Sequence, residues 1–378
     1  MSEPEIDFHL NPFPWFRYMR QNAPLPFDEQ RGAWSAFRYN DVQRVLSEHA
    51  SFSSQAYSAG NDPISRSIIN MDPPRHRQLR ALVSLAFTPR AVALLEDRIT
   101  AVTNELLDAV ETRGEMDVID DLAGPLPTTI IAELLGIPTE DRDKFKLWTN
   151  QLIGSAPREG TDPQHVMANY YRQIFEARRR EPRDDLVSAL LAAQVDGEHL
   201  SEQDLLGFCI LLLLAGNETT TTLLGNTFQT FDEHPEVMEE LHADPSLIPG
   251  AVEEVLRYRS PVRLLLRSTL REVDLGGQTL PAGARVLAWI ASADRDDEQF
   301  PDPDTFDIRR NPNRHLAFGY GIHFCLGAPL ARLEARIAIE RMLTRWTSIR
   351  RVNQDPLEPL GSFVLLGVRH LPIVFRKR

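Results

Sequence analysis

The chain has 378 residues, 42% of them hydrophobic and 25% charged, with a formal net charge of −13. That is a globular composition with ample core, and so acidic a surface excludes nucleic acid as a general partner. Two cysteines exclude a disulfide scaffold. The longest strongly apolar stretch, 208–216, is too short to span a bilayer, and the acidic start MSEPEIDFHL has no secretory pattern, so a cytoplasmic protein without a membrane anchor is expected.

In chain order, WSAF (34–37) reads as a short strand after a turn at Gly32, and NDVQRVLSEH as a helix N-capped by Asn40 or Asp41. From about 74 to 257 apolar residues recur at three- and four-residue steps, as in RAVALLEDRITAVTNELLDAVE, which predicts helices. Strand-type runs return at 261–291, parted by GG and AG turns. A proline-rich acidic stretch without periodicity follows, then the helix-forming run APLARLEARIAIERML, and GSFVLLGVRHLPIVF closes the chain as a β pair. The expected fold class is therefore mainly α with a smaller β-rich portion (α+β), in one domain. Its helix-rich core lies at about 74–257 and 315–350, and its β-rich portion comes from about 10–60, 261–291 and 360–376.

Four segments carry chemistry. In MDPPRHRQLR, His76 and Arg80 stand four apart after a Pro-Pro start, on one helical face; they suit a carboxylate-bearing ligand, or simply a solvated basic face. In LLLLAGNETTTT (211–222) the Ala215–Gly216 step leaves room beside an apolar helix, and Glu218 and Thr219 offer an acid and a hydroxyl. Four adjacent threonines are poor helix residues, and Glu218 equally suits the polar face of an amphipathic helix. In AVEEVLRYRSPV, Glu254 and Arg257 are three apart and can pair. Lastly, FGYGIHFCLG (318–327) sets Cys325 just before a helix N-terminus, where backbone N–H groups favour a thiolate. A zinc reading of His323 and Cys325 finds no second ligand pair to complete it, and the glycines are wrongly spaced for a dinucleotide fingerprint. Those glycines would let the backbone approach a large flat ligand.

The last segment, Phe-Gly-x-Gly-x-His-x-Cys-x-Gly, is met by Phe318, Gly319, Gly321, His323, Cys325 and Gly327, and it resembles the haem-binding loop of the cytochrome P-450 family, the haem-thiolate monooxygenases. The other three segments resemble family motifs in the same order. The resemblance implies haem b with Cys325 as axial thiolate and metal ligand, Ala215 and Gly216 beside the site of dioxygen, and Glu218 with Thr219 as the proton-delivering pair, Thr220 standing in reserve. It implies that His76, Arg80, Arg267 and His315 face the haem propionates, with His323 a weaker candidate. It also implies that Glu254 and Arg257 form a buried structural pair completed by Arg310, or by the adjacent Arg309.

The function so implied is hydroxylation of a lipophilic small molecule of fatty acid, steroid or terpenoid type. Dioxygen and two electrons are consumed; a ferredoxin or flavodoxin with its reductase supplies the electrons, and NAD(P)H acts only through that reductase. The enzyme is expected to be a monomer whose carrier docks on Arg77, Arg314 and Arg332. Ile68, Ile69, Leu211, Leu214, Leu264, Leu266, Val364 and Leu365 are the expected pocket lining. A peroxide-driven peroxygenase on the same fold and a non-catalytic haem sensor are the alternatives; the intact Glu218–Thr219 pair favours the dioxygen-using enzyme over both.

Overall fold

A computed structural model describes residues 7–55, 62–153, 162–195 and 197–378; the first six residues of the acidic start, and residues 56–60 of the portion expected to be β-rich, lie outside the described residues. The expected periodicity becomes α1 (Phe13–Asn22), α2 (Tyr39–Ser47), α3 (Arg75–Ser84), α4 (Pro89–Ala93), α5 (Glu96–Val110), α6 (Pro125–Leu134) and α7 (Arg142–Ile153). There follow α8 (Pro163–Arg180), α9 (Leu186–Ala192), α10 (Glu202–Glu233), α11 (Pro235–Ala243), α12 (Ile248–Tyr258), the short α13 (Ile290–Ala293) and α14 (Ala328–Arg345).

The centre of the molecule is α10, 32 residues long and packed against α6, α8, α12 and α14. A capping box starts it: the Ser201 hydroxyl accepts the Asp204 N–H at 3.1 Å, while the Asp204 carboxylate accepts the Ser201 N–H at 3.3 Å. Its threonines are tolerated because their hydroxyls donate back to carbonyls one turn earlier, Thr219 to Ala215 at 2.7 Å and Thr227 to Leu223 at 2.8 Å. By length and apolarity α10 could cross a membrane, yet 72% of its most apolar window is buried inside the protein.

The strands are β1 (Phe27–Asp28), β2 (Ala33–Ala36), β3 (Phe52–Ser53), β4 (Glu115–Asp117), β5 (Gln194–Val195), β6 (Glu198–His199), β7 (Leu265–Thr269), β8 (Val273–Leu275), β9 (Gln278–Leu280), β10 (Arg285–Ala288), β11 (Trp346–Arg351) and β12 (Pro372–Lys377). The largest sheet has the order β1-β2-β10-β7-β3, so N-terminal and mid-chain strands share one surface. β10 runs parallel to β2 and antiparallel to β7.

Two expectations are corrected. Asn40 and Asp41 do not cap α2: the helix already begins at Tyr39, whose N–H is accepted by the distant Asp296 carboxylate at 2.7 Å. Nor does the C-terminus close as a self-contained β pair. β12 pairs with β11 and with β4, from within ranges expected to be helical, and residues 359–368 contribute only isolated bridges. That stretch lies instead against α10, where a Cβ on Gly367 would come within 2.9 Å of Thr222.

Candidate active site

The loop before α14 holds Cys325 through its backbone. Gly319 and Gly321 have φ of +72° and +74°, a region other residues adopt at a cost. At Gly321 a Cβ would also stand 2.9 Å from the Leu46 carbonyl oxygen and the Ser47 Cα, so only glycine lets the loop close on α2. The Cys325 N–H donates to the Phe318 carbonyl at 2.8 Å. Burial pushes the Cys325 thiol up, while N–H groups of Gly327 and Ala328, together with Arg80 and Arg332, pull it back toward the thiolate.

Cys325 lines a cavity of about 310 Å³, shared with Phe318, Gly319, His323 and Gly327 of the loop, His76 and Arg80 of α3, and Arg267 of β7. Four basic side chains thus meet on one wall. The His76 and His323 rings stand 4.2 Å apart, and the Nε2 of each is buried without a hydrogen-bond partner. Burial, reinforced by Arg80, lowers His76 to about 4, and burial with the neighbouring His76 lowers His323 to about 3. Buried polar atoms without partners are uncommon in folded proteins, and this cluster suits a ligand carrying carboxylates. With a soft sulfur ligand and an apolar remainder, the wall fits a haem.

The rest of the lining is mostly apolar. From α10 it takes Phe208, Leu211, Leu212, Ala215, Gly216, Thr219, Thr220 and Leu223, a helical stripe at three- and four-residue steps. Ile68, Ile69 and Leu266 also line it, as expected. Leu214, Leu264, Val364 and Leu365 do not. Leu214 is off the stripe; Leu264 packs with Phe16, Phe37 and Trp289 in a separate core; Leu365 is bridged to Val262 and Val364 is exposed.

Glu218 is also absent from that wall. Adjacent residues on a helix point about 100° apart, and Glu218, with Asn217, Thr221, Thr222 and Gly225, faces a second, polar cavity of about 190 Å³ on the other side of α10. The acid and the hydroxyl expected at one site therefore stand in two chambers.

His315 is corrected too. Its Nε2 lies 3.1 Å from the Glu253 carboxylate, its Nδ1 accepts the Ala317 N–H at 3.2 Å, and it does not line the large cavity. Glu253 of α12 holds it away, and holds Arg332 as well at 2.6 and 2.8 Å. Arg332 lies 4.5 Å over the Phe318 ring, which leaves Arg77 and Arg314 as the exposed members of the expected basic patch.

The third motif is settled by geometry. Arg257 and Glu254 are fully buried and share two hydrogen bonds, at 2.9 and 2.7 Å. Arg310 completes the group at 3.2 Å from Glu254, whereas Arg309 reaches Glu240.

One acid escaped the sequence reading. Glu334 of α14 is the one carboxylate in the lining of the large cavity among the described residues. Its Oε1 is buried and unpartnered, and burial pushes it up to about 8. A glutamate at an apolar position of α14 is the signal that could have found it.

Residues 143–371 match the cytochrome P-450 family. The putative cytochrome P-450 YjiB of Bacillus subtilis is 43% identical over 375 residues, 95% of this chain and 92% of the relative. The erythromycin C-12 hydroxylase of Saccharopolyspora erythraea is 43% identical over 95% of this chain and 93% of its own. CYP109E1 from Bacillus megaterium, solved in complex with testosterone, superposes with a TM-score of 0.91 at 41% identity, covering 96% of this chain and 97% of that one.

Proposed function

This chain belongs to the cytochrome P-450 family, and on that footing we propose that it hydroxylates a lipophilic small molecule of steroid, terpenoid or fatty acid type, held in the cavity that Cys325 lines. As a family member it is a monooxygenase that works with haem b bound through a cysteine thiolate, dioxygen, and electrons from a reductase. The observation that carries the reading is one wall: Cys325 and the unpartnered His76 and His323 stand on a cavity otherwise closed by apolar side chains. Relatives known for erythromycin hydroxylation and testosterone binding support a bulky, weakly polar substrate.

Each residue takes a role by its place. Cys325 would bind the iron, its sulfur charge stabilised by the N–H groups of Gly327 and Ala328. His76, Arg80, Arg267 and His323 would hold the propionates. A haem held there would supply the dioxygen activation through which one oxygen atom enters a C–H bond. Thr219 fixes its hydroxyl at the cavity wall by donating to the Ala215 carbonyl, which leaves the oxygen able to accept a hydrogen bond. Glu218 supplies protons from the other side of α10. Leu211, Leu212, Leu223, Leu265 and Leu266 position the substrate and exclude water. A ferredoxin or flavodoxin docks near the exposed Arg77 and Arg314.

An optical titration of the ferric protein with steroids, terpenoids and fatty acids tests this. A saturable low-to-high-spin shift with one class, followed by hydroxylated product in a reductase-driven assay, is the expected result. Product formed only with peroxide, or no thiolate-type spectrum at all, would sink the proposal.

A further inference from the structure

A third cavity, of about 470 Å³, shares no lining residue with the two that α10 divides. It opens at the C-terminal end of that helix, where Gln229 and Glu233 meet the start of α1 and the end of α12. Its walls gather three guanidinium groups from distant parts of the chain, Arg17, Arg259 and Arg295, against two carboxylates, Glu233 and Asp304. Asp304 is shared: it accepts from Arg295 at 2.9 Å and pairs with Arg17. Glu233 accepts from Arg259 at 2.6 Å and from the Gln229 amide at 3.1 Å. Arg259 is only 8% exposed; among the described residues its side chain donates through that one nitrogen alone, and its Nε is buried without a partner. Arg295 is buried too, its guanidinium lying over the Phe13 and Tyr258 rings at 4.1 and 3.5 Å. Burial pulls Arg295 down to about 9, so a further negative charge nearby stabilises the cation.

Three positive charges against two negative ones leave one over. A buried cation short of partners is costly, and a charge-assisted hydrogen bond to an anion offsets that cost. An excess of one suits a monoanion; a divalent phosphate or sulfate would tip the balance negative. The rest of the wall is apolar at Leu10, Phe13 and Pro14, which can cover a hydrocarbon body. The volume falls in the range of small-molecule sites, about 300–1,000 Å³. We propose that this cavity is an accessory binding site for an organic monocarboxylate, with its carboxylate held by Arg259 and Arg17 and its apolar body laid on Leu10, Phe13 and Pro14. None of these residues lines the Cys325 cavity, so the site stands or falls apart from the function proposed above.

The test titrates the haem-loaded protein calorimetrically with octanoate and with its uncharged counterpart octanamide, while the Soret band is followed. One octanoate per chain should bind without a spin shift. It should bind about tenfold or more tighter than octanamide, the difference that a charge-assisted hydrogen bond makes. Arg259→Gln should remove most of that preference. Arg17→Gln, on the exposed rim, should weaken octanoate about twofold to fivefold. This second variant keeps the test decisive even where loss of the buried arginine unfolds the end of α12. Arg90→Gln, an exposed position on α4, should change nothing. Haem spectra and thermal unfolding midpoints show which variants are folded. Octanamide binding as tightly as octanoate, or folded Arg259→Gln and Arg17→Gln proteins that bind octanoate like the parent, would overturn the site. So would the absence of binding heat, or heat that rises only with the spin shift, which would put octanoate in the Cys325 cavity.

Discussion

Neighbouring residues of α10 serve chambers of opposite character. The face at 208, 211, 212, 215, 216, 219, 220 and 223 walls the apolar cavity with Cys325; the face at 217, 218, 221, 222 and 225 walls the polar one. Each chamber also receives one buried glutamate, Glu334 on the apolar side and Glu218 on the polar side. The helix is thus a partition: one side is walled mostly by apolar side chains, the other largely by polar ones, and the adjacent Glu218 and Thr219 straddle the divide. Sequence neighbours on a central helix can belong to different compartments, and the 100° step decides which.

The largest effect expected is on the Cys325 side. Cys325→Ser should abolish both the thiolate-type spectrum and hydroxylation, because a hydroxyl is not a thiolate donor. The control is the other cysteine. Cys209 is fully buried within α10, its thiol pushed well up by burial, and Cys209→Ser should keep the spectrum while costing about 1–2 kcal/mol of stability for a buried hydroxyl. Loss of the spectrum in Cys209→Ser would put the ligand on the wrong helix.

A pair of substitutions then separates the chambers. Ala215→Leu adds three carbons on the apolar face, and overpacking of about 1–3 kcal/mol should weaken the substrate-induced spin shift roughly tenfold or more. Glu218→Gln should leave that binding within about twofold and slow coupled turnover about 10²-fold. Titrations and product assays on both variants check the crossing; a Glu218→Gln protein that binds substrate as poorly as Ala215→Leu would break the partition.

Much of this was legible in the sequence wherever one local rule governed. The helical period of 202–233 and the glycines around Cys325 needed no long-range information, and the resemblance added the haem and the chemistry. What failed depended on partners far along the chain. His315 is turned away by Glu253, 62 residues earlier, and α2 is capped by Asp296, 257 residues later. Leu264 and Leu365 are apolar and near the right segments, yet a local pattern does not say which of two adjoining cores an apolar residue joins. The choice between Arg309 and Arg310 likewise rests on where Glu240 and Glu254 end up in space. The separation of Glu218 from Thr219 was available from the helical step alone, since 214, 218, 221, 222 and 225 fall on one face.

The last effect concerns the second glutamate; it touches stability alone, and it is a slope. Glu334 has no hydrogen-bond partner for its Oε1, and burial raises it from 4.5 to about 8. The folded protein therefore keeps a proton that the unfolded chain releases above about pH 4.5. A raised carboxyl makes stability fall as pH rises through that window, by about 1.4 kcal/mol per pH unit, and the fall ends near pH 8, where the folded state ionises too. Glu334→Gln removes the titrating group and keeps the shape. The stability gained by the variant over the parent should grow from about pH 5 to pH 8 and then level off. Thermal unfolding midpoints of the two proteins across that range measure it. Parallel curves would mean that Glu334 ionises as readily inside the fold as outside, and that the apolar chamber admits water after all.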